Sequence, residues 1–229
     1  MNSVAQGHGV VVVGAGMAGL SAAIKVASRG FSVTVVGKEA KGGGKARHVE
    51  VDGLAVDAGP TVLTMKWAFD QLLVPLGYKL EERVRLREAG VLARHYWRDG
   101  SSLDLFANSE RSAESIRAFS DNRNAMGYLR FCEDSRAVYS TLKDTYINAQ
   151  RPNPVDLVGR IGVRNLPQML RLKPLDNLWR ALGKYFADPR LRQLFARYAT
   201  YCGSSPFKCP ATLMLVAHVE QDGVWIPEG

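Results

Sequence analysis

Val10-Val11-Val12-Val13-Gly14-Ala15-Gly16-Met17-Ala18-Gly19-Leu20 is the stretch on which the fold of this chain turns. Four consecutive β-branched residues predict a short strand buried on both faces, as in the interior of a parallel sheet. Gly14, Gly16 and Gly19 then spell G-x-G-x-x-G. From Met17 the pattern becomes helical, with Ala18, Ala22, Ala23 and Val26 small or apolar on one side. Each glycine has its own steric role. Gly14 allows a tight turn, Gly16 lets a pyrophosphate approach the backbone, and Gly19 lets helix and strand pack closely. The unpaired N–H groups and positive dipole end of the helix suit a diphosphate. A ligand-free structural turn is the plain alternative, and the setting between a β-branched strand and an alanine-rich helix weighs against it.

Working outward, Phe31 to Val36 is the next strand, which closes β-α-β, with Gly30 ending the helix between. Dinucleotide sites of this kind place an acid at the end of the second strand, where it accepts hydrogen bonds from a ribose. Here Gly37 and Lys38 follow Val36, and Glu39 is the first carboxylate. Glu39 is the candidate ribose partner if the strand ends late, while Lys38 raises the alternative of a 2′-phosphate. Lys41-Gly42-Gly43-Gly44-Lys45-Ala46-Arg47 is a second glycine-rich stretch. Its backbone can lie close to a ligand, and Lys45 and Arg47 can neutralise phosphate; a flexible surface loop is the competing reading. Residues 48–51 and 54–56 predict two strands joined by Asp52-Gly53. They run into Asp57-Ala58-Gly59-Pro60-Thr61, a tight loop rich in backbone amides.

Farther on, residues 67–76 predict a helix ended near Gly77, and strands at 91–97 and 102–106 flank Asp99-Gly100 as a hairpin. Helices dominate after Asn108, including a long one over 125–142. Between Arg151 and Arg197 there are ten Lys or Arg and three acids (Asp156, Asp176, Asp188), interleaved with large apolar residues from Ile161 to Leu172. Leu175, Leu178, Trp179, Leu182 and Phe186 fall on one helical face, with Arg180 and Lys184 off it. Asp188-Pro189 predicts an N-cap and N1 pair, and a last helix spans 211–220. The basic, apolar segment fits core-facing helices with a solvated basic face, or a surface that meets anionic lipid. No helix-turn-helix, RNA-binding or zinc signature accompanies it, so nucleic acid is not expected.

The 229 residues suffice for one large or two modest domains, and 46% hydrophobic against 23% charged residues is ordinary for a globular protein. Thirty Lys and Arg against 22 Asp and Glu give a net charge of +8, which suits an anionic cofactor or lipid. Residues 1–9 are polar without a basic n-region, and no apolar run approaches bilayer-spanning length, so a protein on the cytoplasmic side is expected. Cys132, Cys202 and Cys209 lack C-x-x-C spacing and the four histidines are scattered, so neither a metal site nor a disulfide framework is indicated.

Three stretches in order, 11–20 (VVVGAGMAGL), 43–47 (GGKAR) and 56–64 (VDAGPTVLT), resemble the FAD-dependent carotenoid desaturases of the bacterial phytoene desaturase type. The resemblance extends through 186–197 (FADPRLRQLFAR), 198–202, 204–207 and 223–229 (GVWIPEG). Within the family, residues 57–65 look most like the enzymes that desaturate hydroxylated or methoxylated carotenoids. The resemblance implies an α/β fold: an incomplete Rossmann-like FAD-binding βαβ domain over 1–82, and a mainly helical substrate and membrane region with a β-hairpin over 83–229. Because family members continue well past this length, it also implies an N-terminal portion of an enzyme, inactive and poorly stable alone. The implied cofactor is FAD. Gly14, Ala15, Gly16, Met17, Ala18 and Gly19 would line its pyrophosphate, Gly43, Gly44, Lys45 and Arg47 would lie along it, and Gly59, Pro60 and Thr61 would sit near the isoalloxazine. Gly37 stands where the family has its ribose-binding Glu, with Glu39 as the substitute. The implied reaction removes two hydrogens from adjacent carbons of a membrane-borne polyene, and peripheral attachment to an anionic membrane surface is expected with it. No catalytic residue is named. A flavin amine or porphyrinogen oxidase, which shares only the first two motifs, and a non-catalytic lipid-binding chain are the rival readings.

Overall fold

The computed structural model describes residues 9–60, 62–148 and 176–228. It divides the chain into two compact units, Met1–Glu88 with Trp225–Gly229, and Ala89–Val224. The division therefore falls after position 82, and the last residues return to the first unit because they form a strand there.

In the first unit β1 (Gly9–Val13) leads into α1 (Met17–Ala27) and β2 (Ser32–Val36). The two strands pair in parallel, from Gly9 against Ser32 to Val13 against Val36. This is the predicted βαβ unit. β3 (His48–Val51) and β4 (Leu54–Asp57) form an antiparallel hairpin. Asp52 and Gly53 turn it at φ 50° and 80°, the left-handed pair that matches the twist of a two-residue hairpin. α2 (Lys66–Leu73) continues as a 3₁₀ turn over Val74–Leu76 and stops at left-handed Gly77. β5 (Arg85–Glu88) pairs antiparallel with β8 (Trp225–Glu228). Leu63 and Trp225 also exchange backbone hydrogen bonds at 2.7 and 2.8 Å, which ties the loop after Gly59 to the chain's last strand.

The expectation that β1 is buried on both faces is corrected. Val11 is 62% and Val13 85% exposed. Among the described residues β1 has a single strand partner, so the β-branched run faces solvent where a sheet interior was expected. Val35, Val36, Val49, Val51, Leu54 and Val56 are exposed too, and among the described residues of this unit only Ala23 and Leu80 are buried hydrophobics.

The second unit has its own core. β6 (Ala93–Tyr96) and β7 (Ser102–Leu105) form the predicted hairpin, with Gly100 left-handed and the Asp99 carboxylate accepting from the Ser101 N–H and hydroxyl. α3 (Ser109–Phe119) and α4 (Asn122–Leu142) begin where Asn108 and Asp121 accept N–H hydrogen bonds from Arg111 and Asn124. α5 (Leu178–Leu182) and α6 (Pro189–Ala196) follow, the second capped by Asp188 with Pro189 at N1 as predicted. A 3₁₀ turn over Ala211–Met214 leads into α7 (Leu215–Gln221). Phe131 of α4 has no exposure and meets the rings of Tyr185, Phe186, Phe195 and Tyr198 at centroid distances of 5.2 to 6.4 Å.

This packing decides between the two readings of the basic, apolar segment where it is described. Leu178, Leu182, Phe186, Leu191, Leu194 and Phe195 are all buried in the core, so over 176–197 they cannot also enter a lipid headgroup layer. Lys184 pairs with Asp176, and Arg192 stacks on Trp179. Residues 151–175, including Ile161 to Leu172 and Leu175, lie outside the described residues.

Phe131→Ala should destabilise the second unit by about 3–5 kcal/mol, the usual cost of emptying a buried aromatic site. Val13→Thr, at an exposed position, should shift stability by no more than about 0.5 kcal/mol. Urea unfolding followed by tryptophan fluorescence checks both.

Candidate dinucleotide site

The first glycine loop is shaped by backbone contacts. Gly14 sits at φ 106°, and its N–H donates to the Val36 carbonyl at 2.7 Å, which locks the ends of β1 and β2 together. Gly16 caps α1 with extended backbone, no side chain caps the helix, and no acidic residue lies in its first turn. The positive end of α1 is therefore uncompensated and faces whatever lies beyond the loop. A Cβ on Gly19 would stand 1.8 Å from the Gly14 carbonyl oxygen, so any side chain there forces helix and turn apart. On Gly16 a Cβ would meet only the Gly44 Cα, at an ordinary 3.8 Å.

The second loop is stitched to the first. The Gly43 N–H donates to the Ala15 carbonyl at 2.8 Å, and Gly16 and Gly43 form a parallel bridge. Gly44 is left-handed at φ 64°, and a Cβ on it would press to 2.9 Å from the Gly16 Cα. The third loop joins in turn. Ala58 N–H donates to the Arg47 carbonyl at 2.9 Å, and a Cβ on Gly59 would collide with the Lys45 carbonyl at 1.8 Å. Gly14, Ala15, Gly16, Gly19, Gly43, Gly44, Lys45, Arg47 and Gly59 thus belong to one continuous backbone surface, with Met17 and Ala18 exposed at the start of α1. Pro60 follows Gly59 on the exposed surface, while Thr61 lies outside the described residues.

An open cleft beside the second loop is lined by Glu39, Lys41, Gly42, Gly44, Arg47 and Glu50, among others. Lys45 and the glycines of the first loop are not part of its lining. Glu39 pairs with Lys38 at 3.5 Å, and both side chains are largely exposed, so the carboxylate is loosely held and free to exchange partners. Gly37 lies against the first loop: a Cβ there would contact Ala15 Cβ and N at 3.5 Å without overlap.

A second polar cluster, missed in the sequence, lies in the helical unit. Glu220 of α7 is buried and accepts Arg197 Nη1 and Nη2 at 2.9 and 2.6 Å, Tyr201 Oη at 2.7 Å and Tyr198 Oη at 3.2 Å. Burial and the hydrogen bond to Glu220 push the Tyr201 hydroxyl up to about 12, so it stays a donor. Arg197 Nε and His95 Nε2 are buried without a hydrogen-bond partner among the described residues. Each such orphan costs about 1–3 kcal/mol. Burial, reinforced by the positive charge of Arg197, lowers the His95 pKa and keeps the imidazole neutral at pH 7. Only an Arg within an otherwise apolar helical face marked this cluster in the sequence; its acid sits in another element.

The chain matches the NAD(P)-binding Rossmann-like domain family over residues 12–72. It is 54% identical to the hydroxyneurosporene desaturase of Rubrivivax gelatinosus over 97% of its own length and 42% of that protein's. It is 43% identical to the Rhodobacter capsulatus hydroxyneurosporene desaturase (96% and 44%), and 32% identical to a lycopene-forming phytoene desaturase of Pseudescherichia vulneris (96% and 44%). The chain therefore spans less than half the length of these relatives. Among solved structures it resembles an oxidoreductase from Methanosarcina mazei, with TM-score 0.56 and 18% identity over 97% of this chain and 46% of the other. It also resembles a putrescine oxidase, with TM-score 0.52 and 15% identity over 93% and 42%. At these identities the likeness is one of fold.

The two alanine substitutions in the first loop should separate folding from binding. Gly19→Ala should abolish the cooperative far-UV circular dichroism transition of the first unit and lose dinucleotide binding with it. Gly16→Ala should keep the wild-type spectrum and still weaken dinucleotide binding at least about tenfold, because its methyl occupies the approach to the helix N-terminus.

Proposed function

Because the chain is a homologue of the carotenoid desaturases along 97% of its length, we propose that it forms the FAD-binding and part of the substrate-binding portion of an oxidoreductase that dehydrogenates a hydroxylated or methoxylated carotenoid. The observation that carries this reading is the stitching of three glycine loops around an acid-free helix N-terminus, through the Gly16–Gly43 bridge and the Gly59 contact with the Lys45 carbonyl. A single G-x-G-x-x-G would suit any dinucleotide. A second and a third loop lying against it extend the backbone cradle, as a cofactor longer than its diphosphate requires.

The residues present fit FAD. The first-turn N–H groups of α1 would hold the diphosphate, and Gly16, having no side chain, admits it. Lys45 and Arg47 would offset its charge, and Glu39 at the cleft would take a ribose hydroxyl. Residues 58–60 would face the flavin end, held there by the contact with Lys45 and, through Leu63, by Trp225. Bound FAD supplies the two-electron acceptor for removing hydrogens from adjacent carbons. The protein's part is to orient an apolar polyene and keep water away.

Peripheral membrane contact belongs to the same proposal. No helix of the described residues is long and apolar enough to cross a membrane. With the large apolar residues of 176–197 in the core, the exposed aromatic Phe207 carries the contact. It packs on Trp179, which Arg192 covers, and Lys208 follows it in the chain. Such a mixture of rings and cations suits an anionic headgroup layer.

Adding FAD to the purified chain should quench flavin fluorescence with saturation, and NADP should not compete. Gly37→Glu, which the space beside Ala15 accommodates, should tighten FAD binding about fivefold or more by adding a carboxylate for the ribose. A folded protein that leaves FAD fluorescence unchanged overturns the reading. In liposome flotation, Phe207→Ser with Lys208→Glu should release the chain from anionic vesicles; retention equal to wild type removes this face from the proposal.

A further inference from the structure

Among the described residues only Asp52 and Met65 combine a side chain with a positive φ. Asp52 is explained by its two-residue hairpin turn. Met65 has no such excuse. It stands at the N-cap of α2 with φ 52° and ψ 46°, and its side chain caps nothing. An N-cap residue ordinarily has extended backbone and a short polar side chain, and Met65 departs on both counts. Left-handed backbone is also unfavourable for a residue with a Cβ, so something outside the local sequence imposes it.

That something is a ring of contacts within the first unit. Before Met65, Leu63 donates to and accepts from the Trp225 backbone at 2.7 and 2.8 Å. After it, the Met65 carbonyl accepts the Ala68 N–H at 2.9 Å, and the Lys66 ammonium bridges Asp70 and Glu81 at 2.8 and 2.6 Å. Glu81 lies in a 3₁₀ turn over Leu80–Glu82 that leads into β5. β5 pairs with β8, placing Glu88 opposite Trp225. The ring therefore runs from Leu63 to Trp225, across the ladder to β5, back to Glu81, over to Lys66 and so to Met65. Its sides are fixed by hydrogen bonds, and Met65 is the corner that lets it close.

We propose that Met65 is a positioning residue whose left-handed backbone, and not its side chain, holds residues 58–63 where they face the flavin. The inference rests on the flavin reading of the first unit and names the residue that sets its loop. Two anchors define that loop. Gly59 lies against the Lys45 carbonyl, and Leu63 is held by Trp225. The first anchor belongs to the glycine cradle and the second to the ring, so the corner at Met65 decides how the loop spans them. Strained backbone persists where the surrounding structure over-determines it, and such positions cluster at ligand clamps.

The test compares substitutions at position 65 of the full chain, with FAD as titrant and hydrogen exchange at the Leu63 and Trp225 amides as a second readout. Binding is measured well below the unfolding transition, so a change in stability alone does not move it. Met65→Gly adopts the same corner without strain. It should keep FAD affinity within about twofold of wild type and slow exchange at both amides about threefold or more. Met65→Val, whose branched side chain opposes this backbone most, should weaken FAD binding at least about fivefold and speed exchange. Should that variant fail to fold, Met65→Ala should match the wild type in both readouts, leaving Met65→Gly alone with slowed exchange. A fivefold loss of FAD affinity in Met65→Gly, wild-type binding in folded Met65→Val, or equal exchange in the Ala and Gly variants overturns the proposal. FAD binding that is indifferent to residue 65 removes the positioning role alone. A folded wild type that does not bind FAD removes the flavin reading, and the exchange series still decides whether Met65 holds the corner.

Discussion

Backbone against backbone is the constraint on which the candidate site depends. At Gly19 the helix passes the Gly14 carbonyl so closely that a methyl group would have to occupy the oxygen's place, and at Gly59 the same holds for the Lys45 carbonyl. At Gly44 a methyl would press into the Gly16 backbone. Three loops separated in sequence can form one surface only because none of these positions carries a side chain. The surface presents N–H groups and an uncompensated helix end, and these favour an anion over an apolar group. The cations Lys45 and Arg47 are exposed beside it, so their charge is available to a ligand.

The two units differ in how they are held. The helical unit closes a core around Phe131 and Phe195, with caps at the starts of its helices and a hairpin pinned by Asp99. The first unit has two-stranded sheets, few buried apolar residues and a row of exposed valines. Two-stranded sheets without a covered face are marginal in water. The glycine cradle therefore sits on the less stable of the two units within this chain, and its geometry relies on the local stitching of loops more than on a core beneath it. Anything that covers the valine faces stabilises the cradle without touching the ligand.

Local signals in the sequence carried well. The glycine spacing at 14–19, the Asp52-Gly53 and Asp99-Gly100 turns and the Asp188-Pro189 cap each depend on a few neighbouring residues, and each reappears in the structure as expected. What failed depended on distant partners. Four β-branched residues in a row predicted burial, but burial is settled by neighbouring strands and layers, and β1 has one such neighbour among the described residues. The alternation of cations with large apolar residues over 176–197 is the same pattern for a core-facing helix and a membrane-facing one. Only the positions of Phe131 and its ring partners distinguish them. The Leu63–Trp225 bridge left no local trace, and the Arg197–Glu220 pair left only an Arg in an apolar helical face, since neither partner constrains the residues around the other.

The Arg197–Glu220 pair calls for a reason beyond stability. Burying two opposite charges costs desolvation that their attraction does not reliably return, and apolar residues of equal size often hold a core at least as well. A pair that also leaves one guanidinium nitrogen and a nearby imidazole nitrogen unsatisfied is poorer still as a structural device. Its geometry serves a different end. Two terminal nitrogens clamped on a carboxylate, which two tyrosines hold in place, fix the plane of the guanidinium. A carboxylate on α7 that accepts four hydrogen bonds from Arg197, Tyr198 and Tyr201 admits one register of that helix against the residues that follow α6, a specificity that apolar contacts of equal size do not impose.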